Sequence, residues 1–269
     1  MKKIAVFVAA GMAMCLMYSC QKDATLKSTS PAVSEETLSK IKALGFGVSD
    51  VKVHEDGYLV EGDIVLTNEV LNRQVNGNIL QIANTEQYRT TNLVKGTPRT
   101  ITVALDPKLA AYSGYPQALQ EMVNRYNALR LSLTYKVVSS GATITYVNGN
   151  GGYLASAGFP SNAGDPYGQV KVNARAIGSG SSTTFINYLA TILAHEGGHC
   201  IGFRHTDYMD RSFSCGGAAT NEGASTVGAI LIPGTPSGPD AKSWMLSCIG
   251  SGVNRPFNAN DKTALNYLY

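Results

Sequence analysis

Three of the chain's four histidines stand close together, in the run His195-Glu196-Gly197-Gly198-His199-Cys200-Ile201-Gly202-Phe203-Arg204-His205. His195 and His199 are four residues apart. On a helix that spacing puts both imidazoles on one side, about one turn apart, where two ring nitrogens reach one zinc ion at ~2.0–2.1 Å. Glu196 stands beside them and can reach a coordinated water without being a ligand. Gly202 can take a left-handed backbone, end the helix and turn the chain, so that His205 returns as a third ligand. Three protein ligands leave a fourth position for water, the arrangement of a catalytic zinc. The chemistry would be hydrolysis by a metal-activated water, with Glu196 as the catalytic base. The alternative is an amphipathic helix bearing solvated or core histidines. Gly197 and Gly198, each costing about 1 kcal/mol against alanine inside a helix, argue against a helix that is only structural.

These residues need elements to hold them. Thr183 or Thr184 is expected to cap a long helix over about 185–199. Upstream, Arg99–Leu105 reads as a strand with Ile101, Val103 and Leu105 on one side. Tyr115-Pro116 opens a helix through about 129, with Leu119, Met122, Val123 and Tyr126 at helical spacing. Strands are expected at 132–138, 142–147 and 169–174, with a glycine-rich loop at 148–168 and an irregular tail after the long helix. The order predicts an α+β fold, a helix pair against one mixed sheet. Ahead of it, 34–46 reads as a helix capped by Ser34 and stopped at Gly45, Tyr58 to Leu66 is β-like, and Val70-Leu71 is a short apolar segment. The polar stretch 76–98 ends at Gly96-Thr97-Pro98. A boundary there leaves 34–97 as a small N-terminal subdomain or propeptide and 98–269 as the catalytic domain.

The stretch from His195 to His205 resembles the metzincin zinc signature. With Thr206-Asp207 following, it is similar to the dual-action HEIGH metallo-peptidases, a bacterial metzincin family. The resemblance covers roughly 98–269 and is strongest over 190–250. It implies a metzincin-like twisted mixed sheet with two long helices and a loop-rich C-terminal subdomain. It also implies a zinc metalloendopeptidase acting on protein or peptide substrates, with His195, His199 and His205 on the metal. Gly197 stands where that family usually has an apolar residue such as isoleucine, a departure that touches helix packing and leaves the ligands intact. The family's methionine turn matches Ser243-Trp244-Met245-Leu246, with Met245 preferred over Met209, which follows His205 too closely. The 228–236 segment looks like the loop before that turn. The strand at 169–174 resembles the edge strand that holds extended substrate by β-addition; a plain sheet edge is the other reading. Asp207 either orients the loop of the third histidine or is an ordinary turn aspartate. Tyr208 could assist catalysis, but surface packing is the expectation.

Composition narrows the rest. At 44% apolar and 15% charged, the chain is neither disordered nor a coiled coil. Basic residues number 22 against 19 acidic, and no concentrated basic patch is visible, so no nucleic-acid partner is expected. Met1-Lys2-Lys3 followed by the apolar run from Ile4 to Ser19 reads as a signal peptide over 1–19. As a helix that run would span about 24 Å, short of the ~30 Å hydrocarbon core. The junction at Cys20 resembles a bacterial lipoprotein signal with Cys20 lipidated, although Tyr18 is bulky for such a site. Gln21-Lys22-Asp23 looks like the export tag of surface-exposed lipoproteins, and 20–33 has linker composition. These features predict a monomeric outer-membrane surface lipoprotein, or a form released from the cell, touching the membrane through its lipid anchor alone. Cys200, Cys215 and Cys248 remain, which allows one disulfide; Cys215 with Cys248 is favoured, leaving Cys200 as a buried thiol. No cysteine lies between 21 and 199, so no thiol from the N-terminal segment can block the metal. His54, Asp56 or Asp63 could do so, but solvated charge is the expectation for all three. Calcium is unsupported, since Asp165 is the one carboxylate in 148–168. The competing function is a surface binding lipoprotein that keeps the fold without significant peptidase activity. Sugar hydrolysis has no motif behind it.

Overall fold

Alternating β-branched and apolar residues make the central strands, and two apolar-striped helices cover them. The computed structural model describes residues 33–72, 87–222, 229–236 and 238–269. The N-terminal part comprises helix α1 (Glu35–Ala43), strands β1 (Lys52–His54), β2 (Gly57–Val60) and β3 (Ile64–Thr67), and the one-turn helix α2 (Asn68–Leu71). Then follow β4 (Tyr88–Arg89), β5 (Arg99–Leu105), α3 (Pro107–Ala110), α4 (Tyr115–Asn127), β6 (Leu133–Val137) and β7 (Ile144–Asn148). The chain continues through β8 (Ala155–Ser156), β9 (Gln169–Val172), α5 (Ala174–Ile177) and the long α6 (Thr183–Cys200). It ends with α7 (Ser212–Cys215), β10 (Ile230–Leu231) and α8 (Ala259–Leu268). Among the described residues no helix is long and apolar enough to cross a membrane. The signal segment, Cys20 and most of the linker lie outside the described residues, as does much of the polar stretch before Pro98.

The main sheet has the order β6-β5-β7-β9-β8. Its first four strands run parallel and β8 runs antiparallel to β9. Parallel strands need crossovers, and the β5-to-β6 crossover is α3 and α4. One turn of α4 after another buries Leu119, Met122, Val123 and Tyr126, the stripe its sequence spacing predicts. From Tyr188 onward every residue of α6 is buried, so this helix runs through the core. Ser182, not Thr183 or Thr184, is its N-cap and accepts from Phe185 N–H at 3.2 Å.

Three elements depart from the sequence expectation. The strand at 169–174 is not an edge: β7 lies on one side of β9 and β8 on the other, because the glycine-rich loop folds back and pairs Ala155 with Val172. Tyr58 to Leu66 is two strands joined by a turn at 61–63, where Glu61 (φ 54°) and Gly62 (φ 90°) are both left-handed. The tail is not wholly irregular. It ends in α8, held by a capping box in which Asn258 and Asp261 bond each other's backbone N–H.

The N-terminal part has its own small core of Ile41, Leu44, Val60, Ile64, Leu66 and neighbours. Phe159, contributed from beyond β8, joins that core and stacks on Phe46 at 6.1 Å. All described residues belong to one compact unit.

Candidate metal centre

The last turns of α6 carry the site, and the helix ends in a way that delivers the third histidine. Gly202 N–H bonds the His199 carbonyl at 2.9 Å and Phe203 N–H bonds the Gly198 carbonyl at 2.9 Å, the paired bonds of a Schellman stop. Gly202 has φ 109°, and a Cβ there would lie 2.7 Å from the Asn92 carbonyl oxygen. Only glycine fits. Three residues later His205 points back at the helix.

His195, His199 and His205 converge. His199 and His205 are fully buried and His195 is 8% exposed. Each ring is fixed through Nδ1. Trp244 O lies 2.8 Å from His195 Nδ1, Phe203 O lies 2.8 Å from His199 Nδ1, and the Glu222 carboxylate lies 3.1 Å from His205 Nδ1. A carbonyl only accepts, so His195 and His199 carry hydrogen on Nδ1 and direct a lone pair from Nε2. Those two Nε2 atoms are 3.1 Å apart, lone pair to lone pair. Asp63 Oδ2 stands 3.2 Å from His205 Nε2 and 3.5 Å from His195 Nε2. All four donor atoms lie within 4.8 Å of one another. A tetrahedral zinc with bonds of ~2.0–2.1 Å has ligand–ligand edges of about 3.3–3.4 Å. The donor set and its spacing therefore fit a zinc-sized cation, which removes the repulsion between facing lone pairs.

The electrostatics agree. Burial and the two neighbouring imidazoles hold the His199 proton affinity well below the ordinary value, the neutral form that ligates. Burial opposes charge on His205, but Asp63 and Glu222 flank the ring and push its pKa well above the ordinary value. A cation on the Nε2 side would take that proton's place. Burial opposes the Asp63 carboxylate too, yet the imidazoles hold its pKa well below the carboxylate range.

Glu196 is 2% exposed and faces a cleft of about 250 Å³, lined also by His195, Asp63, Tyr153 and Trp244. Its Oε2 has no hydrogen-bond partner among the described residues. Burial and the nearby Asp63 push its proton affinity well up. An unpartnered buried carboxylate beside the histidines is the group a coordinated water would satisfy.

The glycines of the helix have packing reasons. Tyr146 donates to the Leu193 carbonyl at 3.0 Å and Tyr126 to the Ala194 carbonyl at 2.8 Å. A Cβ at Gly197 would meet the Tyr146 hydroxyl and Met122 at 3.2 Å. Here the place of an apolar side chain is taken by tyrosine hydroxyls reaching helix carbonyls. A Cβ at Gly198 would lie 2.6 Å from Met245 Sδ and 3.2 Å from the Trp244 ring. Met245 is fully buried against the helix in the turn that follows Trp244, and its carbonyl accepts from Thr206 N–H at 2.9 Å. Gly198→Ala should therefore cost stability. Overpacking of about 1–3 kcal/mol exceeds the ~1 kcal/mol of helix propensity gained. Urea denaturation measures the sum, and a more stable variant would contradict this packing account.

Other sequence candidates fall into place around this centre. Asp207 is buried and accepts from Ser214 Oγ at 2.5 Å and from Ser247 N–H at 2.9 Å, so it ties the loop of the third histidine to the segment after Met245. Tyr208 is not a surface residue: it is 4% exposed, with its ring against Tyr88 at 4.3 Å. Cys215 and Cys248 are bridged with Cα atoms 5.1 Å apart, and Cys200 is a buried free thiol. Asp165 pairs with Arg99. His54 lies 3.6 Å from Asp56, which pairs with Lys171, and neither is among the converging donors. Asp63, expected in solvent, is the correction. Its carboxylate is 14% exposed and aimed at the donors, because the turn at 61–63 places it there.

Two participants have no signal in the sequence. Glu222 follows a polar tail, and Asp261 reads only as a first-turn aspartate. Asp261 also accepts from Gln87, Ser243 and Trp244 N–H, anchoring the segment around Trp244 to α8, and burial raises it to about 6. Glu222→Gln should weaken metal affinity about 10–100-fold, the usual loss when a ligand's outer partner is changed. Competition with a chromophoric chelator reads this directly, and unchanged affinity would remove Glu222 from the centre.

A family model described as dual-action HEIGH metallo-peptidase matches residues 58–269. Among curated proteins no relative matches. Two solved structures of myroilysin are similar at 15% identity and TM-score 0.39. One alignment covers 66% of this chain and 86% of that one, the other 67% and 95%.

Proposed function

The chain belongs to the dual-action HEIGH metallo-peptidase family, and on that premise we propose that it is a zinc endopeptidase using Glu196 as general base. Peptide or protein is its substrate, as for any metallopeptidase. The observation that carries the reading is the convergence of three fixed imidazoles on one point beside the Glu196 carboxylate, whose Oε2 has no hydrogen-bond partner among the described residues.

His195, His199 and His205 would hold the metal, leaving one position open for the reaction. When bound, zinc acidifies a water towards a pKa of ~7 and polarises the scissile carbonyl. Glu196 would take a proton from the attacking water and pass it to the leaving amine. Trp244 O, Phe203 O and Glu222 keep the three rings in the ligating tautomer and orientation while charge develops. Met245 and Trp244 pack against Gly198 and hold the helix end against the turn.

The N-terminal pattern supports a location to go with this activity: export by the 1–19 signal, lipidation at Cys20 and display on the bacterial outer surface. A monomer on a tether needs no further partner than its substrate. The binding-protein alternative predicts retained metal without turnover. Zinc content by atomic absorption, with hydrolysis of unfolded casein before and after a chelator, separates the two. Metal-independent cleavage, or no cleavage by either the parent chain or a variant lacking the Asp63 carboxylate, would reject the peptidase reading.

A further inference from the structure

The geometry points to Asp63 as a fourth protein ligand of the metal, placed there by an N-terminal hairpin that keeps the full-length chain latent. This inference rests on the zinc-peptidase reading and adds a regulator to it. The first observation is the carboxylate itself. Asp63 Oδ2 is 3.2 Å from His205 Nε2 and 3.5 Å from His195 Nε2, within the same cluster as the three imidazoles. It stands at the position that the reactive water would need.

The second observation is in the backbone. The open edge of the main sheet is β8, and the hairpin covers it. Ala157 N–H bonds the Asp63 carbonyl at 2.9 Å, Val65 N–H bonds the Ala157 carbonyl at 2.7 Å, and Ile64 pairs with Ala157 in parallel. A sheet edge beside a catalytic centre is where an extended peptide would add as a strand. Here residues of the same chain fill it, and they offer the metal a side-chain carboxylate where a substrate would offer its scissile carbonyl.

The third observation is how the hairpin is held. Arg204, next to His205 and fully buried, donates to both carboxylate oxygens of Glu61 at 2.9 Å and lies 4.6 Å from the Phe46 ring centroid. Lys171 on β9 pairs with Glu55 and with Asp56 at the turn between β1 and β2. Glu61 is held in a left-handed backbone that a side chain rarely adopts, the kind of strained position found at ligand clamps and switches. Clamp, edge strand and carboxylate thus come from one hairpin, and loss of that hairpin would open all three together.

The test uses the full chain, with cobalt(II) replacing zinc so that the ligand set is visible in the d–d absorption. Asp63→Ala and Asp63→Asn are compared with the parent for metal stoichiometry, cobalt spectrum, azide binding and hydrolysis of a quenched peptide by the zinc form. Both variants should retain one metal per chain, show a changed cobalt spectrum, and bind azide where the parent does not. Hydrolysis should rise by about tenfold or more, since a tethered ligand acts at millimolar effective concentration. If Asp63→Ala fails to fold, the isosteric Asp63→Asn carries the same comparison. An unchanged spectrum with unchanged azide binding would overturn the ligand assignment, whatever the activity. A changed spectrum with hydrolysis equal to a measurable parental rate would overturn latency. A changed spectrum with no hydrolysis in any form would keep the ligand and reject the peptidase reading instead.

Discussion

Glu196→Gln leaves one metal per chain and lowers peptide hydrolysis by about 10²–10⁴-fold, the range a positioned acid–base group supplies. The two effects separate because Glu196 is not among the four converging donors, whereas it lines the cleft and its Oε2 has no hydrogen-bond partner among the described residues. Glutamine keeps the shape and removes the proton acceptor. The substitution also has a sign on stability. Burial and Asp63 push the Glu196 pKa well up, so in the metal-free protein a stability cost builds as the pH rises above the ordinary carboxylate value and is complete above the raised one. Glutamine removes that cost, and metal-free Glu196→Gln should melt higher than the metal-free parent. The assay belongs in both the parent and the Asp63→Ala background, where basal hydrolysis is larger. Cleavage surviving at the parental rate in both would exclude Glu196 from the reaction. A lower melting point would show instead that the carboxylate stabilises the fold through a contact the geometry does not contain.

Removing the metal should unfold the protein at a much lower temperature. Ligand binding to the folded state alone stabilises it by about 4 kcal/mol at a thousandfold excess over Kd. At about 2–4 °C per kcal/mol for a chain of this size, the chelated protein should melt roughly 8–16 °C below the loaded one. The reason lies in the ligand shell. His195 and His199 point lone pairs at each other across 3.1 Å with their other nitrogens committed to carbonyls. Without a cation, burial and the neighbouring imidazoles hold His199 in its neutral form. His205 answers differently, since Asp63 and Glu222 let it keep a proton. The destabilisation therefore falls on the end of α6, and hydrogen exchange should quicken first near 195–205. Scanning calorimetry with and without chelator, followed by zinc add-back, measures the size. Coincident melting curves would mean that the donors do not hold a metal in the folded protein.

Much of this centre is legible in local sequence because local geometry produces it. The i,i+4 spacing of His195 and His199 becomes one helical face wherever a helix forms. Gly202 stops that helix because no other residue fits its left-handed backbone beside the Asn92 carbonyl. The stripe of Leu119, Met122, Val123 and Tyr126 marks the helix packed against it. Other elements were illegible for equally physical reasons. β8 is two residues inside a glycine-rich loop, too short to show alternation, so β9 looked like an edge. The capping box at Asn258 and Asp261 was the available sign of α8, in a tail with little apolar periodicity.

Asp63 marks the division most sharply. A lone aspartate after glycine, between two apolar segments, has the local chemistry of a solvated turn, and nothing within ten residues says otherwise. Its carboxylate meets His205 across 142 positions of chain only because β3 pairs with the Ala157 edge and Glu61 meets Arg204. Glu222 and Asp261 belong to the same class. Helix spacing and glycine stops are short-range properties that the amino-acid order carries by itself. The carboxylates that fill, orient and brace the metal site come from strand pairing and buried ion pairs between distant segments, and those exist only once the chain has folded.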